Sequence, residues 1–488
     1  MRFEWEKLLC SETLKEKEKT PSSWVDYPMD PFEEDYREII NSVSFRRLQD
    51  KAQMYQLCKG EYVRTRLTHS LEVSTIAKQL GMMMLFNDKW NGLEAFSGLT
   101  PWQSRAIPTV LACAGLLHDM GNPPFGHEGE YAIGKWFSDR LRRDDFKIHD
   151  IPIRDFLTEK MKRDLENYEG NAQVIRMLSK CKFPSEEQEA NVTFATISTL
   201  VKYPVNSMEM KKDSPDLRMH KFGFYESEEK IVRMVREKTG VCLPESPYAR
   251  NPLTYFLEAA DDIAYVASDI EDAITKNTTT IHDLISFVKK SIAEIPEEGD
   301  EMHQLQVLTV EGIFNNLLMR LEKSDGTVNG ETMALHTWTN YLRNWLMYIA
   351  TTSFVSNSEA IMNGTYCNDL LDGSHHKYTV ELMKKSMQVN VYPKLGDIHI
   401  EAHVILVDLL NKFAPAVINW DTDAGLTQFE SMYIDTIPER FKKTYFAEKT
   451  EDEVYNLYLR FRMITDFIGS MSDGHSLELY QKYNAYIV

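Results

Sequence analysis

Cysteine is scarce in this sequence: six among 488 residues, at Cys10, Cys58, Cys113, Cys181, Cys242 and Cys367, with no CxxC pair. That scatter signals neither a disulfide framework nor a zinc ribbon, and it suits reduced thiols in a cytoplasm. Long apolar runs are also missing. The longest near the middle, residues 107–117, falls short of the ~20 residues that a bilayer requires and contains Pro108, so no membrane-spanning helix is expected. The first twenty residues alternate charged and apolar side chains and lack the continuous greasy stretch of a secretory signal, so export is not expected. Positive charge is in the minority, 55 Lys and Arg against 74 Asp and Glu, for a formal charge of −19. A protein that coats nucleic acid through general basicity is thereby excluded. Fixed-period repeats and low-complexity tracts are absent, which disfavours solenoids and linker-rich designs.

What is present is the balance of a folded protein, 43% hydrophobic and 26% charged residues, with length for about three domain-sized units at ~150 residues each. Apolar residues recur at helical spacing, as in Leu71, Val73, Ile76, Leu80 and Met83, whereas sustained two-residue alternation is rare. An all-α fold is predicted, with Pro- and Gly-bearing breaks at 21–31, 121–126, 211–224 and 324–332.

Three His-Asp dipeptides occur, at His118-Asp119, His149-Asp150 and His282-Asp283. His149 follows a polar stretch and His282 sits at an expected helix start, where Asp283 suits a cap; both read as structural. His118-Asp119 instead closes an apolar helical run and is followed at once by Gly121, Pro123 and Pro124, which stop the helix and leave the pair at a rim. A divalent cation needs donors converging from several elements, because neighbours on one helix point apart. His69, opening an amphipathic helix after a basic stretch, and Asp261, on a third helix rich in small residues, complete two imidazoles and two carboxylates. His127 and Glu130 lie three apart just after the Pro-Pro turn, so a helix starting there would let the carboxylate orient the imidazole. Gly129–Lys135 matches GxxxxGK in form, but Trp136 stands where a P-loop needs Ser or Thr, so no P-loop is read there.

The order His, His-Asp, Asp on separate helices resembles the HD superfamily of metal-dependent phosphohydrolases. The stretches SFRRLQDKAQ (44–53), RTRLTHSLEV (64–73), HDMGNPPFGHEGE (118–130), YEGNAQ (168–173), KYP (202–204), FGF (222–224) and EAADDIAY (258–265) resemble the bacterial dGTP triphosphohydrolases more narrowly, across roughly residues 30–275. A weaker echo lies at 466–480. The expected organisation is an N-terminal segment (1–45), an HD-type helical catalytic core (46–280, with an insertion around 135–225) and an additional C-terminal helical region (281–488). The resemblance implies metal-dependent hydrolysis of dGTP, or of other dNTPs, at the α-phosphorus to deoxynucleoside and intact triphosphate, an activity that controls dNTP pools. One divalent metal ion per site is implied, Mg or Mn foremost and otherwise Co or Fe, held by His69, His118, Asp119 and Asp261. Asp262 is the rival ligand, but Asp261, Tyr265 and Asp269 share one helical stripe at i, i+4 and i+8, while Asp262 points ~100° away.

By the same resemblance Tyr265 lies near the sugar, Asp269 and Gln53 read its 3′-hydroxyl, His127 transfers a proton and Glu130 tunes it. A heavily anionic triphosphate needs a basic pocket that overrules the global charge; Arg66, Lys202, Tyr203 and Lys221 are the implied phosphate ligands. Asn171 and Gln173 are placed at the cleft, and Tyr392 and Glu401 on the base-binding side. A cytoplasmic homo-oligomer, commonly a hexamer, is implied, with no membrane partner. Single-stranded DNA is a further partner considered, through a patch at Arg440, Lys442 and Lys443. The competing readings are another HD-type nucleotidase or phosphodiesterase, or a non-catalytic nucleic-acid-binding oligomer.

Overall fold

A computed structural model describes residues 2–15, 30–57, 64–86, 93–181, 190–293, 301–324, 326–390 and 396–484. The fold is all-α: among the described residues the strands are two short antiparallel pieces, Lys147–Ile148 and Ile151–Pro152. His149 and Asp150 form the turn between them, both with positive φ. None of the described helices is long and apolar enough to cross a membrane. Cys10, Cys113, Cys181, Cys242 and Cys367 are free thiols, and Cys58 lies outside the described residues.

Two helices in close contact form the scaffold of the cleft. Helix α1 (Arg66–Phe86) buries Val73, Ile76, Ala77, Leu80 and Met84. Leu71, which the spacing also assigned to that face, is 43% exposed, because a residue two before Val73 points about 200° away from it. Helix α2 (Pro101–Leu117) starts with a capping box from Thr100 and Gln103 and Pro101 in its first turn, then buries every residue from Ala106 to Leu117. A helix apolar all round belongs inside the protein, and each Leu so buried contributes roughly 1.5–3 kcal/mol. The two helices touch closely at Gly115, where a Cβ would stand 2.5 Å from the Ser74 Cα.

After α2 the chain turns into α3 (Gly126–Leu141) and, later, α4 (Gly170–Ser179). Helix α5 (Pro252–Thr275), capped by Asn251 and opened by Pro252, packs on α1, α2 and α6 (Val328–Met362). Helix α7 (Lys377–Asn390) also meets α5. The last part of the chain supplies α8 (Gly396–Asn419), α9 (Glu453–Gly469) and α10 (Asp473–Asn484).

Two large apolar cores result, and both cross residue 281. One joins α1, α2 and α5 to α6 and α7. The other joins Phe125 and α3 to α8 and α9 through rings such as Phe137, Phe413, Phe461 and Phe467. Beneath α4, the buried Asp466 of α9 binds Arg176 at 2.8 Å and Gln173 at 2.8 Å. Helix α9 thus abuts the back of the elements that carry the cleft.

Candidate active site

The cleft has a volume of about 620 Å³ and draws its lining from α1, the α2–α3 turn, α4, α5 and the loops at 53–56, 202–203 and 221. Its deepest point is a cluster of imidazoles and carboxylates. Asp261 Oδ1, on α5, lies 3.2 Å from His69 Nε2 on α1 and 3.4 Å from His118 Nε2 at the end of α2. Asp119 Oδ1 is 3.7 Å from the same His118 nitrogen. Three of the four ligand sets, those of His69, His118 and Asp119, have donor atoms all within 4.8 Å of one another. Donors ~2.1 Å from one cation stand ~3 to ~4 Å apart, and the pairs at 3.2, 3.4 and 3.7 Å fall in that range.

The protonation pattern supports the same fit. His118 Nδ1 is 2.8 Å from the Gly115 carbonyl, a group that only accepts, so Nδ1 donates to it and Nε2 faces Asp261 and Asp119, where a cation would take the place of a proton. That Nε2 is buried. Burial by itself opposes protonation of His118, yet Asp119 and Asp261 carry its pKa up to about 9. Asp261 is itself held well below the usual carboxylate range, against its burial, by His118 and His69. The field at this point demands positive charge.

Asp119 is aimed by two neighbours. Its Oδ2 accepts from Arg66 at 2.6 Å, and its Oδ1 accepts from the Asn122 amide. Asp262, adjacent to Asp261, also lines the cleft but is engaged by Lys384 of α7 at 2.9 Å. Tyr265 and Asp269 continue the Asp261 stripe along the wall.

The α2–α3 turn reverses the chain through two left-handed residues, Phe125 at φ 64° and Gly126 at φ 58°. Glycine at 126 is required twice over: by its φ, and because a Cβ would strike the Arg66 guanidinium. Gly126→Ala is therefore expected to destabilise the fold by about 1–3 kcal/mol, read as a lowered urea midpoint at unchanged slope.

The turn delivers His127 to the rim. Its ring is 79% exposed, with Nδ1 2.7 Å from Glu130 Oε2, while Glu130 Oε1 accepts from the Gly170 N–H of α4 at 2.7 Å. The Glu130 hydrogen bond raises the His127 pKa above its ordinary value. Glu130, despite burial, is held low by His127 and Lys221. Removing the anion in Glu130→Gln takes away what favours imidazolium, so any His127 limb in a kcat/KM pH profile is expected to move to lower pH. A limb that stays in place or moves to higher pH would show that Glu130 does not set the His127 pKa.

Basic groups gather here against the global charge. Lys202 Nζ lies 3.8 Å from Asp261 and 3.9 Å from Glu258, and Lys221 Nζ lies 3.1 Å from Glu169. Both ammonium groups are raised above the ordinary lysine value: burial opposes this, and Tyr203, Glu258 and Asp261 overcome it for Lys202, as Glu169 and Glu130 do for Lys221. Gln53, Tyr203 and Asn171 also line the cleft.

Other expected residues lie elsewhere. Gln173 is fully buried and bonded to Asp466 and Arg462, so it braces α4 instead of facing the cleft. Glu401 is exposed on α8 and does not line the cleft, and Tyr392 lies outside the described residues. Arg440 is buried against Ser470 and the Phe441 ring, so it offers no phosphate contact at the surface; Lys443 remains exposed.

Glu169, Asn122 and Gln56 line the cleft without having been singled out. Asn122, three residues after Asp119, and Glu169, inside YEGNAQ, carried usable sequence signals. Gln56 carried none.

The HD domain family model matches residues 66–197. That span contains His69, His118, Asp119, His127 and Glu130 and stops before Asp261. The chain is similar to a deoxyguanosinetriphosphate triphosphohydrolase-like protein of Listeria monocytogenes, 35% identical over 488 residues and covering 99% of each chain. It is also similar to the deoxyguanosinetriphosphate triphosphohydrolases of Salmonella typhimurium, 30% identical with 93% of each covered, and Yersinia enterocolitica, 29% identical with 93% and 94% covered.

Proposed function

The chain belongs to the HD-domain deoxyguanosinetriphosphate triphosphohydrolase family, and from that membership we propose that it hydrolyses a deoxynucleoside triphosphate, dGTP first among them, to deoxynucleoside and intact triphosphate. The observation that carries the reading is the convergence of His69, His118, Asp119 and Asp261 at the floor of a cleft whose rim holds the His127–Glu130 pair. Those four side chains would hold one divalent ion, Mg or Mn foremost and otherwise Co or Fe. When bound, such an ion polarises a phosphate oxygen and lowers the pKa of an attached water.

The protein's own groups do the rest. Water attacks the α-phosphorus, and the bond to the nucleoside 5′-oxygen breaks. Lys202 and Lys221, with Arg66 behind them, neutralise the triphosphate, each ammonium exchanging a carboxylate neighbour for phosphate, and the neutral Tyr203 hydroxyl donates a hydrogen bond to it. Gln53, Tyr265 and Asp269 seat the sugar. His127 moves a proton at the ring nitrogen opposite Glu130, which anchors the other. Assembly as a homo-oligomer, a hexamer by family, and control of dNTP pools belong to the same proposal.

The test is to incubate the pure protein separately with each dNTP and rNTP plus Mg or Mn and resolve the products. Deoxynucleoside and triphosphate in equal amounts are expected; orthophosphate, or monophosphate with pyrophosphate, would overturn the reading. Guanine contacts by Tyr392 and by Glu401, which stands outside this chain's own cleft and would reach the base from a neighbouring subunit, belong to the same proposal, and the panel tests them. If Glu401→Gln leaves the order of dNTP rates unchanged, Glu401 is not in the base pocket.

A further inference from the structure

The left-handed pair that delivers His127 persists only where its surroundings hold it, and what holds it comes from the far end of the chain. Asp473, in the first turn of α10 and 3% exposed, accepts from the Phe125 N–H through Oδ1 and from the Ala52 N–H through Oδ2, each at 2.9 Å. Phe125 and Asp473 are 348 residues apart. Lys51, also buried, spans the same gap: its Nζ donates to the Asn122 carbonyl at 2.6 Å and to the Gly469 carbonyl at 2.8 Å. The turn is thus gripped at Asn122 and at Phe125, on either side of Pro123-Pro124.

One end of this grip is fixed independently. The segment at 51–53 pairs with 64–66, the Arg66 N–H donating to the Lys51 carbonyl at 2.8 Å and the Gln53 N–H to the Arg64 carbonyl at 3.0 Å. Ala52 is therefore the anchored partner, and Phe125 is the one that depends on Asp473. Gln56 adds a bond from Nε2 to the Phe125 carbonyl at 3.1 Å. Neither Lys51 nor Asp473 lines the cleft, so neither can act by touching a nucleotide there. A carboxylate suits position 473 because it only accepts and has two oxygens for two N–H groups; an amide would turn a donor toward one of them.

We propose that Asp473 and Lys51 are positioning residues for His127, clamping the α2–α3 turn so that the imidazole stands where proton transfer needs it. The inference rests on the proton-transfer role given to His127 above. The last two described helices thereby position a group for a reaction they do not touch.

The experiment is a double comparison on the full chain with its metal. Asp473→Asn alone is expected to lower kcat by about tenfold or more, since small misplacements of a reacting group are costly, with KM changed by less than about twofold. In a His127→Ala chain, assayed at enzyme concentrations high enough to read residual turnover, the same change is expected to cost less than about twofold, because no imidazole is left to misplace. Equal losses in both backgrounds, an effect on KM alone, or an unchanged kcat in Asp473→Asn would overturn the clamp while leaving the role of His127 standing. Wild-type turnover in His127→Ala would instead remove the role on which the clamp rests. If Asp473→Asn does not fold, Lys51→Met removes the other arm while keeping a chain of similar length in the same buried channel. The same pair of backgrounds then decides.

Discussion

Asp261→Asn is expected to lower kcat/KM by about 10³-fold or more, equivalent to ~4 kcal/mol of transition-state stabilisation, and to abolish retention of a divalent ion through dialysis. The reason is geometric. Asp261 Oδ1 is within 3.4 Å of both imidazoles, whereas each Asp119 oxygen already accepts from a protein group, Arg66 or Asn122. Replacing the anionic oxygen by an amide removes the negative charge that faces the two imidazoles and risks turning a donor toward the cation. Asp262→Asn on the same helix is the control. Its carboxylate is engaged by Lys384, so it is expected to retain the ion and to lose less than about tenfold in rate. Metal content by mass spectrometry, read beside turnover, separates the two carboxylates; equal losses from both variants would mean that Asp261 has no privileged place in the cluster.

His127→Ala is expected to lower kcat by about 10²- to 10⁴-fold with the bound ion retained and KM little changed, the signature of a lost proton-transfer group. The 79% exposure of the ring argues against a packing role, and truncating a side chain so exposed leaves no cavity. Thermal stability is therefore expected to stay near that of the parent chain. A large fall in the unfolding temperature, or a rate within about threefold of the parent, would reassign the residue.

The local parts of this site were legible because they repeat at short spacing. The i, i+4, i+8 stripe of Asp261, Tyr265 and Asp269 lies on one cleft wall, and the three-residue step from His127 to Glu130 is the hydrogen-bonded pair. Asp283 caps its helix by a reciprocal exchange with Thr280, which sets His282-Asp283 apart from His118-Asp119. Gln173 misled because its neighbour Asn171 faces the cleft. Two positions along a helix turn a side chain by ~200°, and Gln173 points at Asp466 instead.

By itself, then, the sequence determined the helices, where α2 stops, and which residue types could serve as ligands, because backbone hydrogen bonding, capping and side-chain periodicity act over a few residues. Its resemblance to a family pointed to the joining of His69, His118-Asp119 and Asp261. Only the tertiary structure decided that both apolar cores run across residue 281, that Arg66 spends its guanidinium on Asp119, that Arg440 is buried, and that Asp473 grips the turn before His127. Those facts depend on which surfaces exclude water against each other across hundreds of residues, and no short-range spacing in the chain encodes that choice.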